Sequence, residues 1–206
     1  MARPRVHDDA LRRRLLEVSS EVISAAGAGG LTVRDVAARA ETSASAVYAL
    51  FGGRDELVRA VAGEAFRRFA ERLSSVPIGP DAGADLLALG LAYRESALAA
   101  PHFYRVMFGA LSAEARDHTR GPATSEPTFG VLRAAVARVL ATERAGAAAP
   151  DVALEVALGL WGLVHGLVGL ELAGLLPGTA EERSARYERV LRDAGRPHRP
   201  AASGPS

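Results

Sequence analysis

The hydrophobic residues of this chain recur at helical spacing along most of its length. In the segment 8–26 they fall on one side of a helix, at Leu11, Leu15, Val18 and Val22. A glycine-rich run at 27–30 ends this helix. No segment alternates apolar and polar residues in the way that a half-buried strand does. The pattern therefore predicts an all-α fold.

Prolines and glycines divide the rest of the chain into further predicted helices. These are expected at 33–40, 44–50, 55–75, 82–99, 102–112, 127–145, 151–174 and 180–194. We predict a small N-terminal domain over 8–60 and a larger C-terminal domain over 61–195. A loose arm at 1–7 would precede them, and a disordered tail at 196–206 would follow.

The segment 32–51 holds two short predicted helices joined by a tight turn. Thr32 and Ser43 stand at N-cap positions, where a hydroxyl oxygen accepts a hydrogen bond from an otherwise unpaired backbone N–H. Apolar residues stand where two crossing helices would touch, at Val36, Ala37, Ala40, Val47 and Leu50. The second helix is almost uncharged and begins with small polar residues. These features fit a helix-turn-helix that enters the major groove of DNA, and they fit a compact three-helix bundle equally well.

The composition excludes several classes of protein. Of the 206 residues, 49% are hydrophobic, 24% are charged and none is cysteine, so disulfides and thiolate metal sites are excluded. The chain contains no phosphate-binding loop, dinucleotide fingerprint, zinc-protease motif or hydrolase nucleophile motif. His102, His118 and His165 lack metal-ligand spacing. We therefore expect a protein that is not an enzyme, with no cofactor and no metal ion.

Two segments bear on the cellular location. The N-terminus is charged and lacks the apolar run and cleavage site of a secretory signal. The nearly uncharged run at 156–170 is too short to cross a bilayer and contains His165. We expect a cytoplasmic protein with no membrane partner.

The sequence around the second short helix contains a recognisable motif. Tyr48-Ala49-Leu50-Phe51 ends this helix, and Gly53-Arg54-Asp55-Glu56-Leu57 follows it. With Thr32 at the start of the first short helix, residues 10–60 resemble the DNA-binding domain of the TetR family of bacterial transcriptional regulators. The resemblance implies an N-terminal three-helix domain with a helix-turn-helix, and a C-terminal helical domain for ligand binding and dimerisation.

The resemblance also implies which residues contact DNA. Base edges would be reached from the start of the recognition helix, at Thr42, Ser43, Ala44 and Ser45. Phosphates would be contacted by Thr32, Tyr48 and Arg54. For Tyr48, the alternative is a packing residue with a solvated hydroxyl. Arginines in the arm and on the first helix either add backbone contacts or form a solvated face, at Arg3, Arg5, Arg12, Arg13 and Arg14.

Two positions depart from the family pattern. Glu41 stands at the turn position that is usually glycine, where positive φ would cost a non-glycine residue about 1 kcal/mol. Leu50 replaces a histidine or tyrosine and so removes a phosphate contact. Residues 1–60 contain nine arginines and eight acidic residues. This balance predicts modest non-specific DNA affinity and a shallow salt dependence.

The C-terminal half resembles one subgroup of the family, named for its Trp, His and Gly residues. Trp161-Gly162 and His165-Gly166 lie in a long apolar helix, and the segment 92–108 fits the same subgroup. The resemblance implies an apolar cavity with His165 as its polar anchor. Its walls would be Tyr93, Phe103, Tyr104, Met107, Phe108 and Trp161. The alternative is a dense helical core with a hydrogen-bonded histidine.

The resemblance implies a homodimer built from the last two helices, and Thr179 with Glu182 forms a capping box for the final one. Dimerisation also follows from the DNA argument, because one short helix reads few base pairs and a two-fold pair reads two half-sites. We expect a ligand-responsive regulator, a repressor that binds a palindromic double-stranded operator and is released by a small apolar or aromatic ligand. The alternative is a helical small-molecule-binding or interaction module with weakened DNA binding.

Overall fold

The computed structural model describes residues 5–110, 127–143 and 150–195. Within these ranges the helices are Arg5–Ala26 (α1), Val33–Arg39 (α2), Ala44–Phe51 (α3), Arg54–Ser74 (α4), Ala82–Ala99 (α5), Pro101–Arg105 (α6), Pro127–Glu143 (α7), Pro150–Leu172 (α8) and Ala180–Ala194 (α9). No strand occurs in them, so the all-α prediction is confirmed. The predicted tail at 196–206 lies outside the described residues.

The helix starts follow from the capping residues. Thr32 Oγ1 accepts from the Asp35 amide at 3.2 Å, and Ser43 Oγ accepts from the Ala46 amide at 3.2 Å. Thr179 and Glu182 form the predicted capping box at the start of α9. Each cap satisfies a backbone N–H that has no partner within its helix.

Helix α1 begins earlier than the sequence pattern indicates. It starts at Arg5 rather than Asp8, so the predicted arm at 1–7 is wrong for its last three residues. The helix pattern at 102–112 is also interrupted. After α6, the segment Val106–Ala110 forms a π-helix, in which each N–H donates to the carbonyl five residues earlier instead of four.

The chain divides into two compact units, each with its own buried residues. The first comprises Met1–Arg72 and Ser96–Thr128, and the second comprises Leu73–Glu95 and Phe129–Ser206. The predicted domain boundary at residue 60 stays a prediction.

In the first unit, α1 packs against α2, α3, α6 and the π-helical segment. The predicted stripe on α1 supplies Leu15 and Val22 to its core, and α2 and α3 supply Val36, Ala37, Ala40 and Val47, all of them buried. Leu50 is half-buried, whereas Phe51 and Leu57 are buried as a helix-turn-helix requires. This core fixes α2 and α3 against α1 and the start of α4.

In the second unit, α7 and α8 share a core of buried apolar side chains: Phe129, Val136, Leu140, Ala153 and Ala157. Helix α8 has 23 residues, and it is long and apolar enough to cross a membrane by length and composition. Its bounds agree closely with the helix predicted at 151–174. Only 22% of the most apolar window of α8 is buried, so one side of this helix is a large exposed apolar surface.

Candidate functional site

The front of α3 presents small polar side chains to solvent. Ser43 and Ser45 are exposed, and Thr42 and Ala44 are half-buried. The Ser43 and Ser45 hydroxyl oxygens lie 2.8 Å apart, within hydrogen-bonding distance of each other. Because Ser43 Oγ also caps α3, the start of this helix is fixed while its hydroxyls face outward. Such an arrangement suits hydrogen bonds to base edges.

Tyr48 lies further along α3 and is 55% exposed. A packing residue would be buried, as Phe51 is at the end of the same helix. The tyrosine ring is therefore available at the surface, in keeping with the predicted phosphate contact. That contact stays a prediction.

Arg54, the first residue of α4, has hydrogen-bond partners within the protein. Its Nε donates to the Leu31 carbonyl at 3.0 Å, and Nη2 donates to the Ala28 carbonyl. Nη1 donates to the Asp55 carboxylate at 2.8 Å. The predicted phosphate contact of Arg54 is untested, but three of its nitrogens already donate to protein oxygens.

Two arginines of α1 also contact the helix-turn-helix. The Arg12 guanidinium carbon lies 4.6 Å from the centre of the Phe51 ring, a cation–π arrangement. Arg12 Nη1 also points at the Leu50 carbonyl at 3.5 Å, near the C-terminal end of α3. Arg14 Nη2 lies 3.2 Å from the Glu41 carboxylate.

Glu41 has the backbone geometry expected from its place in the turn. Its φ is 51°, the one positive φ of a non-glycine residue in the described ranges. The prediction of a strained turn at this position is confirmed. Its side chain is 78% exposed and lies on α1's side of the turn, beside Arg14.

Three of the predicted ligand residues lie close together in the second unit. The Tyr93 hydroxyl is 3.4 Å from His165 Nδ1, and the Trp161 and His165 rings have centres 6.4 Å apart. Phe129 meets Trp161 edge-on, with ring centres 5.6 Å apart. Burial lowers the pKa of His165, so its neutral form is favoured near neutral pH. Tyr93 is buried, while Trp161 and His165 are half-buried.

The other predicted ligand residues belong to the first unit. Phe103, Tyr104 and Met107 are buried and Phe108 is half-buried. The Tyr104 ring centre lies 4.9 Å from that of Phe108 and 6.3 Å from that of Phe69 on α4. The Arg68 guanidinium carbon lies 4.5 Å from the centre of the Phe103 ring. These contacts hold α6 against α4.

A buried ion cluster on α5, α8 and α9 was missed by the sequence analysis. Arg94 is 9% exposed and donates through Nε and Nη2 to both oxygens of Glu171, at 2.7 Å each. Arg183 donates to the same carboxylate at 3.2 Å. Hydrogen bonding from Arg94 lowers the pKa of Glu171 although burial raises it. The partners lie far apart in sequence, so no local pattern indicates them.

The exposed side of α8 contains four glycines and several large apolar residues. At Gly159, Gly162, Gly166 and Gly169, an added Cβ would meet no atom within 4 Å. Val156, Leu158 and Leu170 are exposed beside them. The opposite side is buried through Ala153, Ala157, Val164 and Val168.

A capped helix-turn-helix on a helical bundle, followed by a second helical unit, defines a DNA-binding regulator of transcription. Two family models match the chain. One, described as bacterial regulatory proteins of the tetR family, matches residues 15–61, and a tetracyclin repressor-like C-terminal domain matches 86–194. The chain belongs to the TetR family of bacterial transcriptional regulators. The narrower placing in the Trp-His-Gly subgroup stays a prediction, since the matched description does not name it.

Solved structures are similar over almost the whole chain. The putative regulatory protein SCO4313 is 30% identical with a TM-score of 0.68, over 94% of this chain and 98% of its own. PfmR, a TetR family regulator from Thermus thermophilus, is 19% identical with a TM-score of 0.68, over 87% and 97%. A TetR variant from Acinetobacter baumannii AYE, in complex with minocycline, is 21% identical with a TM-score of 0.56, over 88% and 92%. No curated protein matches the chain significantly.

Proposed function

We propose that this regulator is a ligand-responsive repressor that binds a palindromic operator as a homodimer in the cytoplasm. The observation that best supports the proposed DNA contacts is the group of exposed hydroxyls at the start of α3, where the backbone is fixed by a side-chain cap. Base edges would be contacted by Thr42, Ser43, Ala44 and Ser45, whose hydroxyls and methyls suit hydrogen bonds and thymine contacts. The Thr32 and Tyr48 hydroxyls would contact phosphates. Both side chains are exposed.

Footprinting on the DNA that flanks the gene tests this proposal. The wild-type chain is expected to protect a two-fold symmetric site. The double variant Ser43→Ala, Tyr48→Ala should bind that site at least roughly tenfold more weakly. The control is Arg59→Ala, an exposed position on α4, which should bind as the wild type does. Unchanged affinity of the double variant would exclude this surface as the reading surface.

The exposed side of α8 supports the homodimer, with a second copy of the chain as its occupant. Glycines at spacings of three and four residues leave a shallow surface that a partner helix can approach closely. In such a dimer the flanking apolar side chains would be removed from water, which favours association by about 25 cal/mol per Å² of apolar surface. A two-fold pair also supplies the two reading helices that a palindromic operator needs.

The proposed ligand site lies around Tyr93, Trp161 and His165 in the second unit. The Trp161 ring lies beside an imidazole whose neutral form is favoured and that is paired with a phenol, which suits an aromatic or apolar molecule with a single polar group. The structural relative from Acinetobacter baumannii is in complex with minocycline, so a protein of this fold can hold a small molecule. The buried Phe103, Tyr104 and Met107 are better explained as core packing of the first unit.

A thermal-shift screen of apolar and aromatic compounds tests the ligand site. A compound that binds the folded chain should raise the Tm in proportion to the logarithm of its concentration. As an inducer it should also weaken operator binding, because it shifts the equilibrium only through different affinities for the two states. Both effects should disappear in His165→Ala and persist in Arg59→Ala.

Glu41 and Leu50 favour a second candidate function, a helical ligand-binding or interaction module with weakened DNA binding. The carboxylate of Glu41 would repel phosphates, and the side chain of Leu50 has no polar atom that could hydrogen-bond to a phosphate. Failure of the wild-type chain to protect any flanking DNA, together with a compound that raises its Tm, would support this candidate.

A further inference from the structure

One side chain of α4, Arg54, donates hydrogen bonds to the loop before α2. Arg54 donates to the carbonyls of Ala28 and Leu31, two points on the loop that connects α1 to α2. The guanidinium can donate to both carbonyls at once because its N–H groups have a fixed fork geometry. Asp55 accepts from the remaining nitrogen and lies beside the positive charge.

The loop has few other hydrogen bonds that fix its course. Gly27 has a φ of 74°, and Ala28–Gly30 forms a single 3-10 turn. The Gly27 amide donates to the Ile23 carbonyl at 2.9 Å, but the bonds within the loop, from Gly30 to Gly27 and from Leu31 to Ala28, are longer at 3.2 Å each. Hydrogen bonds from a charged donor are worth more than such neutral ones. The loop therefore owes much of its order to Arg54.

The residue after this loop is Thr32, which caps α2 and is a proposed phosphate contact. The Leu31 side chain is fully buried, so its carbonyl and the following residue move little while the clamp holds. Arg54 thus fixes the position of Thr32 relative to the first turn of α4.

We propose that Arg54 is a positioning residue for DNA binding, acting through Thr32 and the start of α2 rather than through a phosphate contact of its own. The inference rests on the proposed function, because it assigns a role within operator binding. It differs from the sequence-based expectation, in which the same arginine contacts phosphate directly. The Asp55 carboxylate beside the guanidinium also makes it a weak counterion for DNA.

The variants Arg54→Lys and Arg54→Met separate the two roles. Lysine keeps the charge but lacks the fork, and methionine lacks both. A positioning role predicts that both variants lose roughly tenfold or more in operator affinity, with the wild-type salt slope. A phosphate contact predicts that lysine binds like arginine, and that methionine flattens the slope of log K against log salt by about 0.9. That second pattern would overturn the proposal.

Amide hydrogen exchange of the DNA-free chain gives a second readout. The Leu31 amide donates to Ala28 and the Val36 amide donates to Thr32, and both should exchange faster in Arg54→Lys. The control is Arg59→Lys, which replaces an exposed arginine paired with Glu56 at 2.7 Å on the same helix. Unchanged exchange in Arg54→Lys would overturn the proposal, as would faster exchange with unchanged operator affinity.

A double-mutant cycle with Thr32→Val completes the test. If Arg54 acts through Thr32, the double variant should bind little worse than Arg54→Lys alone, because the threonine is already misplaced. Fully additive losses would contradict the route through Thr32. If the proposed function is wrong, the wild-type chain binds no operator although its loop amides remain protected from exchange. That result differs from failure of the Arg54 proposal, in which the wild type does bind the operator.

Discussion

Arg14 on α1 and Glu41 in the turn of the helix-turn-helix are joined by an ion pair of 3.2 Å. The pair connects a strained backbone position, with φ of 51°, to a helix that packs against α3. Both side chains are about half exposed or more, so the ion pair itself adds little stability. Its larger effect concerns charge, because it neutralises an arginine near the proposed DNA surface.

Replacing Glu41 by glycine should therefore strengthen both folding and operator binding. Glycine adopts positive φ without strain, which should add about 1 kcal/mol to the free energy of unfolding and about 2–4 °C to the Tm. Loss of the carboxylate also frees Arg14 for phosphate. Glu41→Gln is the matched control, since it removes the charge but keeps the strain, and it should improve binding without raising the Tm. A glycine variant that binds more weakly would contradict this account.

Operator binding should depend weakly on salt for a protein of this kind. Arg12, Arg14 and Arg54 all have protein partners, so these three arginines are less available for phosphates. Between about 50 and about 200 mM salt, affinity should fall by less than roughly a thousandfold. A filter-binding titration measures this slope. A loss of many decades over that interval would show that the arginine pairs open on DNA.

Gly162→Leu should separate folding of the subunit from its association. The position is an exposed helix interior with open space around it, so leucine should stabilise the isolated helix by up to about 1 kcal/mol. The same side chain would hold a partner helix away. Sedimentation is expected to show a shift from dimer to monomer, with weaker operator binding. Gly63→Leu, an equally open site on α4, should stay dimeric, and a dimeric Gly162→Leu would place the interface elsewhere.

The ion cluster at Glu171 should make stability depend on acid pH. The pKa of Glu171 in the folded chain is lowered from 4.5, chiefly by Arg94. Its contribution is therefore complete above about 4.5 and is lost as pH falls through the folded value. Between the folded and unfolded pKa values of Glu171, the free energy of unfolding of the wild type should fall with decreasing pH more steeply than that of Glu171→Gln. Near neutral pH the variant should be less stable by about 3 kcal/mol, because Arg94 is left buried without its partner. Equal acid slopes in urea titrations would contradict the assignment.

Local sequence patterns predicted most of the helices and three of the side-chain caps, but not the one that Asp81 forms at the start of α5. Thr32, Ser43 and Thr179 could be assigned because a cap depends on residues three positions apart. The positive φ of Glu41 could be predicted because the family pattern usually has glycine at this turn position. The start of α1 and the π-helical segment could not, since both depend on packing against other parts of the chain.

Long arginine side chains account for most of what the sequence did not predict. Arg54 and Arg94 donate to oxygens that are 23 and 77 residues away along the chain. An arginine that contacts phosphate and an arginine that donates to carbonyls of its own chain have the same residue type and the same local sequence pattern. Only the fold distinguishes them. The residues of the proposed reading surface, Thr42–Ser45 and Tyr48, are exposed or half-buried in the structure, as a surface that contacts DNA requires.

The four exposed glycines of α8 make folding and operator binding depend on the concentration of the chain. Each glycine weakens a helix by roughly 1 kcal/mol relative to alanine, so together they cost about 4 kcal/mol in a lone subunit. In the proposed dimer, contacts with the second copy would compensate for this cost. Folding of α8, pairing and repression would then rise together with the abundance of the chain. A small decrease in the concentration of the chain would then lower operator occupancy more steeply than it would for a dimer that is always folded and paired.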